Sequence, residues 1–248
     1  MTKFHESNHR LEACRPAARP VHAFAESALA RRRFLAAGAA VARAGGPALL
    51  SGGAARAQNS LSPDAALGQL MAGNARFMRN HLDSFQEDLD ILKKGAAEGQ
   101  APFAAVLSCA DSRVPVELIF DQSIGHVFVT RVAGNVATPE IMASLEYGAA
   151  VLGTRVIVVL GHQACGAVKA AIAGKAVPGQ ISALYRPLRP AVEQAGGDVE
   201  AVTKANARIQ ANLLATASPV IADMVKQGTV KVVAAYYALS TGQVSLLG

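Results

Sequence analysis

Two short segments contain the only cysteines that follow residue 57, and each pairs its cysteine with another side chain that binds metals. In the first segment Cys109 is followed by Asp111 and Arg113. In the second, His162 precedes Cys165 by three residues. Two thiolates, an imidazole and a carboxylate form a donor set that suits tetrahedral Zn²⁺. A carboxylate in the fourth place, rather than a third thiolate, leaves a position that water could occupy, so such a site could do chemistry.

Each of these residues also has a simpler interpretation. Cys109 and Cys165 could form a disulfide, which is the expected pairing in an oxidising compartment. His162 could be a core histidine with satisfied hydrogen bonds. Asp111 and Arg113 could be an ordinary surface ion pair, which contributes little to stability. Residue types and spacing alone leave these alternatives open.

The elements that must position these residues are predicted from four apolar runs that are too short for helices. The runs lack clean polar alternation, as parallel strands covered on both faces do. They lie at 103–108, 126–131, 155–160 and 230–236, and a short final strand is expected at 243–247. Helices are predicted at 63–80, 84–97, 138–152, 164–173 and 199–227, the last with a break near Pro219. Alternating strands and helices predict an α/β fold with a mostly parallel central sheet flanked by helices, about four parallel strands plus a short C-terminal edge strand.

The predicted topology explains how two separated segments could share one metal ion. Cys109 follows the first predicted strand and His162 follows the third. Ligands bind beyond the carboxyl ends of strands in open parallel sheets, so both segments should reach the same edge. Cys165 lies at the start of the next predicted helix, and the positive end of that helix favours a thiolate.

The first 57 residues predict an export leader, and residues 58–248 predict a single α/β catalytic domain. Arg31-Arg32-Arg33 resembles the twin-arginine export pattern. A weakly apolar stretch rich in Ala and Gly follows at 36–55, and Ala55-Arg56-Ala57 provides a cleavage site of the A-x-A type. Charged and helix-breaking residues interrupt the apolar stretch, so no stable membrane insertion is expected after signal removal. The pattern predicts a periplasmic or otherwise exported protein.

The net charge of +6 also belongs to the leader. Residues 1–57 contain nine Lys and Arg against three Asp and Glu, whereas residues 58–248 contain fifteen of each. The body of the protein therefore has no basic excess, and nucleic acid is not an expected partner.

The two motifs and their surroundings resemble the β-class carbonic anhydrases. The family patterns C-x-D-x-R and H-x-x-C match residues 109–113 and 162–165. The stretches that also agree are 114–122, 128–135, 144–153 and 156–170. The similarity extends from about residue 62 to residue 248.

This resemblance implies zinc held by Cys109, His162 and Cys165. It also implies the reversible hydration of carbon dioxide to bicarbonate and a proton, through attack of a zinc-bound hydroxide. Asp111 would be the fourth metal ligand in a resting form, or leave that place to water when it pairs with Arg113. Asp111 and Arg113 are thus the expected catalytic residues, which orient the hydroxide.

Gln100 and Tyr147 match family positions that contact the substrate, carbon dioxide or bicarbonate. In the family these side chains usually come from the partner subunit, so the resemblance implies a homodimer, a tetramer or another even-numbered assembly. The helix at 63–80 would then pack on the neighbouring subunit.

Two other functions remain open at this point. A CS₂ or COS hydrolase on the same scaffold would have identical metal ligands. A non-catalytic exported module that binds zinc or forms a disulfide is the second, although the presence of both Asp111 and Arg113 argues against it. Arg131, Gly134 and Asn135 follow the second strand and could contribute to the site or only form a turn.

Overall fold

The sheet that positions the candidate site has five strands in the computed structural model, which describes residues 60–84 and 89–248. The strands are β1 Ala104–Ser108, β2 Val127–Arg131, β3 Val156–His162, β4 Lys231–Tyr237 and β5 Val244–Leu247. Their order is β2-β1-β3-β4-β5. The first four strands are parallel to one another, and β5 is antiparallel to β4. The predicted fold class is therefore confirmed, including the short edge strand.

Helices cover both faces of this sheet. They are α1 Pro63–Met78, α2 Leu89–Glu98, α3 Val116–Ile119, α4 Pro139–Ala150, α5 Gly166–Ala173, α6 Tyr185–Ala195, α7 Val199–Ala217 and α8 Pro219–Lys226, with a 3₁₀ helix at Gly179–Leu184. The break expected near Pro219 separates α7 from α8. Ser218 caps α8, because its Oγ accepts a hydrogen bond from the amide of Ile221 (3.1 Å). Proline can begin a helix there because the first turn needs no amide donor from it.

Helix α6 was not predicted from the sequence, and it contains two prolines, Pro187 and Pro190. Pro187 lies in the first turn, where a missing amide costs no helical hydrogen bond. Pro190 lies farther inside the helix and removes one. Leu188 and Ala191 of α6 are fully buried, so packing compensates for that loss.

The burial of the central strands explains why their sequences lack polar alternation. All residues of β1 and β3 are buried. Ala104 and Val106 of β1 pack in the apolar cluster that contains residues of α1 and α3. Ala105 and Leu107 point to the opposite face, where residues of α4, α7 and α8 pack. Both faces of the strand therefore need apolar side chains.

Helix α1 packs its apolar face against its own chain, and its expected contact with a neighbouring subunit stays a prediction. Leu70 is fully buried in the cluster that includes β1 and β3. The Asn74 amide donates to the carbonyl oxygens of Ile119 (3.2 Å) and Gly242 (2.8 Å). Its oxygen accepts from the amide of Val244 (2.9 Å). A local core for this helix exists, but residues far along the chain build it.

Two glycines of α1 provide a matched test of this docking. A methyl group at Gly73 would overlap the carbonyl oxygen of Phe120, whereas one at Gly68 would meet no atom within 4 Å. We expect Gly73→Ala to destabilise the protein by about 3 kcal/mol through overpacking. Gly68→Ala should stabilise it by up to about 1 kcal/mol, because alanine favours a helix over glycine. Urea unfolding of both variants measures the two effects, and equal changes would contradict the close approach of α1.

A buried carboxylate also holds α1 to the rest of the chain. Asp121 accepts hydrogen bonds from Arg76 Nε (2.5 Å) and from both the hydroxyl (2.6 Å) and the amide (3.1 Å) of Ser84. Burial alone would raise the pKa of Asp121, but the bonds from Ser84 and Arg76 outweigh it and lower the pKa to about 2.

We expect Asp121→Asn to lower the free energy of unfolding by about 2 kcal/mol at pH 7. A lowered pKa in the folded state gives stability above the unfolded pKa, and this stability is lost as the pH falls toward 2. The gap between wild type and variant should therefore narrow between pH 4 and pH 2. Urea titrations at several pH values measure it, and a gap that stays constant would be the contrary result.

Within the described residues, no helix has both the length and the apolar character needed to cross a membrane. The predicted leader at 1–57 lies outside the described residues, and so do residues 85–88 of the helix predicted at 84–97. The division into a leader and a single domain therefore stays a prediction.

Candidate metal centre and active site

The strand order creates a natural binding edge between β1 and β3. Strand β2 pairs with one edge of β1, and β3 pairs with the opposite edge, so the direction of the strand order reverses at β1. Such a reversal opens a crevice at the carboxyl ends of the two strands. Cys109 directly follows β1, and His162 is the last residue of β3. The predicted meeting of the two segments at one edge is confirmed.

Cys109, His162 and Cys165 form a tight cluster at this edge. Their ligand atoms all lie within 4.8 Å of one another, and all three residues are buried. The two sulfur atoms are 4.0 Å apart and both cysteines are free thiols. The structure thus has two separate sulfur donors here rather than a disulfide.

The imidazole of His162 is oriented as a metal ligand. Its Nδ1 lies 3.0 Å from the carbonyl oxygen of Gln163, and because a carbonyl only accepts, Nδ1 must be the nitrogen with the proton. The lone pair is then on Nε2, which is buried without a hydrogen-bond partner. A buried nitrogen acceptor with no donor beside two sulfur atoms fits the third ligand of a metal ion.

The two thiols differ in their readiness to lose a proton. Hydrogen bonds to the Cys109 sulfur, first from Cys165 and then from the Gly134 amide, outweigh burial and lower the pKa of this thiol. The Gly134 bond measures 3.3 Å. The bond with Cys109 and burial raise the pKa of Cys165. The pair alone therefore favours one thiolate, and a dication would favour both.

A strained turn brings Cys165 back toward His162. Ala164 has a φ of 56°, in the left-handed region that costs a non-glycine residue about 1 kcal/mol. Cys165 follows as the N-cap of α5, where the positive end of the helix favours a thiolate.

Asp111 pairs with Arg113 through two parallel hydrogen bonds. Arg113 Nε and Nη2 donate to the two carboxylate oxygens at 2.9 Å and 2.8 Å, and the Arg113 amide adds a third bond at 3.0 Å. These bonds hold the pKa of Asp111 well below its usual range. Its Oδ2 also lies 3.9 Å from His162 Nε2. Of the two arrangements expected for Asp111, the structure has the one in which it pairs with Arg113, with a carboxylate oxygen facing the cluster.

Arg131 fixes the backbone that presents these groups. Its Nε donates to the carbonyl oxygen of Cys109 (2.9 Å), and its Nη2 donates to that of Asp111 (2.5 Å). Together with the Gly134 contact to the Cys109 sulfur, these two bonds give the end of β2 and the segment after it a direct role in building the site.

Gln100 and Tyr147 are not brought into this cluster by their own chain. Both are exposed, and 48% of the Tyr147 surface is accessible. The Tyr147 ring lies near that of Phe128, with centroids 6.4 Å apart. Among the described residues, no hydrogen bond or ring contact joins either side chain to the Cys109–His162–Cys165 cluster.

Gln163 and Gln210 also lie near the site, and neither was predicted from the sequence. Gln163 orients His162 through its carbonyl group, which every residue has, so no sequence signal marks it. Gln210 is fully buried next to Asn206, one turn earlier on α7. Two amide side chains four residues apart on the buried face of an alanine-rich helix are a signal that could have found this pair.

Comparison with known proteins supports the arrangement. A family model described as carbonic anhydrase matches residues 104–244, which include every residue of the cluster. The chain belongs to the β-class carbonic anhydrase family. The enzyme is 34% identical over 193 residues to carbonic anhydrase 2 of Mycobacterium tuberculosis, an alignment that covers 75% of this chain and 93% of that relative.

Solved structures of the class have the same fold. The β-carbonic anhydrase CafA of Aspergillus fumigatus is similar with a TM-score of 0.59 and 26% identity, over 74% of this chain and 89% of the other. A tetrameric β-carbonic anhydrase of Sordaria macrospora gives a TM-score of 0.58 and 26% identity, over 63% and 85% of the two chains. The enzyme therefore catalyses the hydration of carbon dioxide, as the sequence predicts.

Proposed function

We propose that the enzyme hydrates carbon dioxide with a zinc ion held by Cys109, His162 and Cys165. The observation that supports this most directly is the cluster of two free thiols and an unpartnered imidazole nitrogen within 4.8 Å. When bound, zinc lowers the pKa of a water molecule and so supplies a hydroxide nucleophile near neutral pH.

Asp111 and Arg113 are the proposed catalytic pair. Because Arg113 keeps Asp111 ionised, Asp111 Oδ2 acts as a hydrogen-bond acceptor and not as a donor. Asp111 Oδ2 would accept a hydrogen bond from the nucleophile. This bond would fix the orientation of the nucleophile, so that the lone pair of its oxygen points at the carbon of carbon dioxide. The two bonds from Arg113 keep the carboxylate in that orientation.

The surroundings of the two thiols suit an apolar substrate. Cys109 and Cys165 belong to a buried cluster with Val136, Val168 and Leu188. These apolar side chains offer no hydrogen-bonding group that would compete with carbon dioxide for the nucleophile, and they limit the access of bulk water.

Gln100 and Tyr147 are proposed to contact the substrate in the site of a neighbouring subunit. Their exposure on a single chain supports this, because neither reaches its own cluster. The chain would then form a homodimer or a tetramer, and the structure from Sordaria macrospora is described as tetrameric.

A mixing experiment tests the shared site. Asp111→Asn subunits and Tyr147→Ala subunits should each be poorly active alone. In mixed dimers one of the two sites has neither substitution, so random exchange should restore about a quarter of wild-type activity. No recovery in verified mixed dimers would place Tyr147 outside the partner's site.

Export is proposed from the leader at residues 1–57. The support is the arginine triplet, the weakly apolar stretch and the A-x-A sequence. A reporter enzyme fused to residues 1–57 should reach the periplasm. Substitution of lysine for Arg31, Arg32 and Arg33 should keep it in the cytoplasm, and unchanged export would exclude the twin-arginine route.

Metal analysis combined with stopped-flow hydration tests the central proposal. The purified protein should contain about one zinc per chain and lose activity when a chelator removes it. A metal-free preparation that hydrates carbon dioxide at full rate would overturn the proposed zinc site. The same preparation can be assayed with COS and CS₂.

A further inference from the structure

Two buried amide side chains of α7 connect this helix to the segment that contacts the Cys109 sulfur. We propose that Asn206 and Gln210 are positioning residues for Cys109, acting through Gly134, and that they set how strongly this thiolate binds the metal. The inference rests on the proposed zinc site and concerns residues outside both metal-binding motifs.

The hydrogen bonds form a continuous chain. Asn206 Nδ2 donates to the carbonyl oxygen of Gly134 (2.9 Å), and Asn206 Oδ1 accepts from Gln210 Nε2 (3.1 Å). Gln210 Nε2 also donates to the carbonyl oxygen of Pro187 (3.3 Å), and Gln210 Oε1 accepts from the amide of Ala137 (2.9 Å). Both side chains are buried, with 0% and 2% of their surfaces exposed. The two amides therefore hold the segment 134–137 at both of its ends.

Gly134 is the link between these amides and the metal ligand. Its carbonyl oxygen accepts from Asn206, while its own amide donates to the Cys109 sulfur (3.3 Å). Its φ of 79° favours glycine, and a methyl group there would lie 3.2 Å from Leu188 Cδ1. Because the two polar groups share one Cα atom, a shift of the carbonyl away from Asn206 also moves the amide relative to the sulfur.

This geometry has a consequence for the thiolate. A hydrogen bond from a backbone amide holds the sulfur in one position and orientation, and bonds of this kind to a ligand atom keep it directed at its cation, so their loss weakens binding. Without the Asn206 amide, the Gly134 oxygen would be buried and unpaired, and Gln210 Nε2 would keep only its longer bond to Pro187. The segment 134–137 would then relax toward other partners, and the amide-to-sulfur bond would lose its fixed length.

The primary test replaces Asn206 with leucine, which has a similar volume and no amide. We expect the zinc dissociation constant, measured by competition with a chromophoric chelator, to rise about tenfold. We also expect the thiolate-to-metal absorption band of the cobalt-substituted protein to shift, because its energy reports sulfur donation. A merely structural role would lower the thermal midpoint and leave this band unchanged.

Two variants of the same helix serve as controls. Asn212 is exposed on α7, and Asn212→Leu should leave the affinity and the cobalt band unchanged. Leu214 is fully buried in a different apolar cluster, so Leu214→Ala should lower the thermal midpoint through a cavity. It should not shift the cobalt band.

A second variant keeps the proposal testable if Asn206→Leu does not fold. Gln210→Met removes the donor to Asn206 at similar volume and should weaken zinc binding in the same direction. The effects of the two substitutions should be non-additive in the double variant, because both act through Gly134. Wild-type affinity and an unshifted band in either folded variant would overturn the proposal. If the wild-type protein itself bound no zinc, the proposed metal site would be wrong instead.

Discussion

Replacing Asp111 with asparagine is expected to slow carbon dioxide hydration about a hundredfold or more while zinc stays bound. The amide has nearly the shape of the carboxylate, but its oxygen must face the Arg113 guanidinium, which only donates. Its NH₂ group then turns toward the cluster and presents a donor where the nucleophile needs an acceptor. Stopped-flow hydration and zinc analysis of the same preparation measure the two parts of this prediction.

Asp121→Asn is the matched control for that substitution. Asp121 is also a carboxylate that is paired with an arginine and has a lowered pKa. It contacts Arg76 in the last turn of α1, however, and does not lie beside the metal-binding cluster. Its amide variant should lose stability and keep its rate per folded molecule. Nearly intact hydration by Asp111→Asn would show that the carboxylate has no role in orienting the nucleophile.

The pH dependence of the hydration rate should reflect the reacting water and not the titration of Asp111. Arg113 holds the pKa of Asp111 well below its usual range, so the carboxylate stays ionised throughout the pH range of an ordinary assay. We therefore expect the hydration rate to fall as the pH is lowered from 9 to 6, and to fall in the same way in Arg113→Lys, because lysine keeps a cation next to Asp111.

The second large effect is expected from His162→Ala. The substitution removes the nitrogen donor from a fully buried position and leaves two sulfur donors, so bound zinc and activity should fall together. We expect the rate to decrease on the order of a thousandfold, since the nucleophile depends on the metal. Zinc content by atomic absorption and the hydration rate check both.

Imidazole added to His162→Ala distinguishes a lost ligand from a damaged fold. The small ring can occupy the space of the missing side chain, so it should restore part of both the zinc content and the rate. His81 is an exposed histidine, and His81→Ala should behave as wild type. Full activity of His162→Ala without imidazole would exclude this residue as a ligand.

Much of the site could be predicted from the sequence because its residues lie within a few positions of a strand or helix end. Cys109 and His162 each follow an apolar run, and the carboxyl ends of parallel strands meet at one edge. The spacing from His162 to Cys165 fits one turn at a strand-to-helix junction. Apolar runs without alternation predicted four parallel strands, which the sheet confirmed, and β1 and β3 are buried along their whole length.

Contacts between distant segments could not be predicted in this way. Helix α1 was expected to have little local core to join, but Asn74 and Leu70 find partners in residues of their own chain that lie far away in sequence. Helix α6 forms despite its prolines because burial compensates for a lost hydrogen bond. Neither outcome follows from periodicity, since each depends on a surface that exists only after the sheet has formed.

The amino-acid sequence by itself determined the donor set, the strand order along the chain and the family. Only the tertiary structure decided that Asp111 pairs with Arg113, that His162 Nε2 is left without a partner, and that Asn206 reaches Gly134. The physical reason is that spacing along the chain controls which residues share an element. The direction of a hydrogen bond, and the partner that a buried polar group finds, depend on how separate elements pack together.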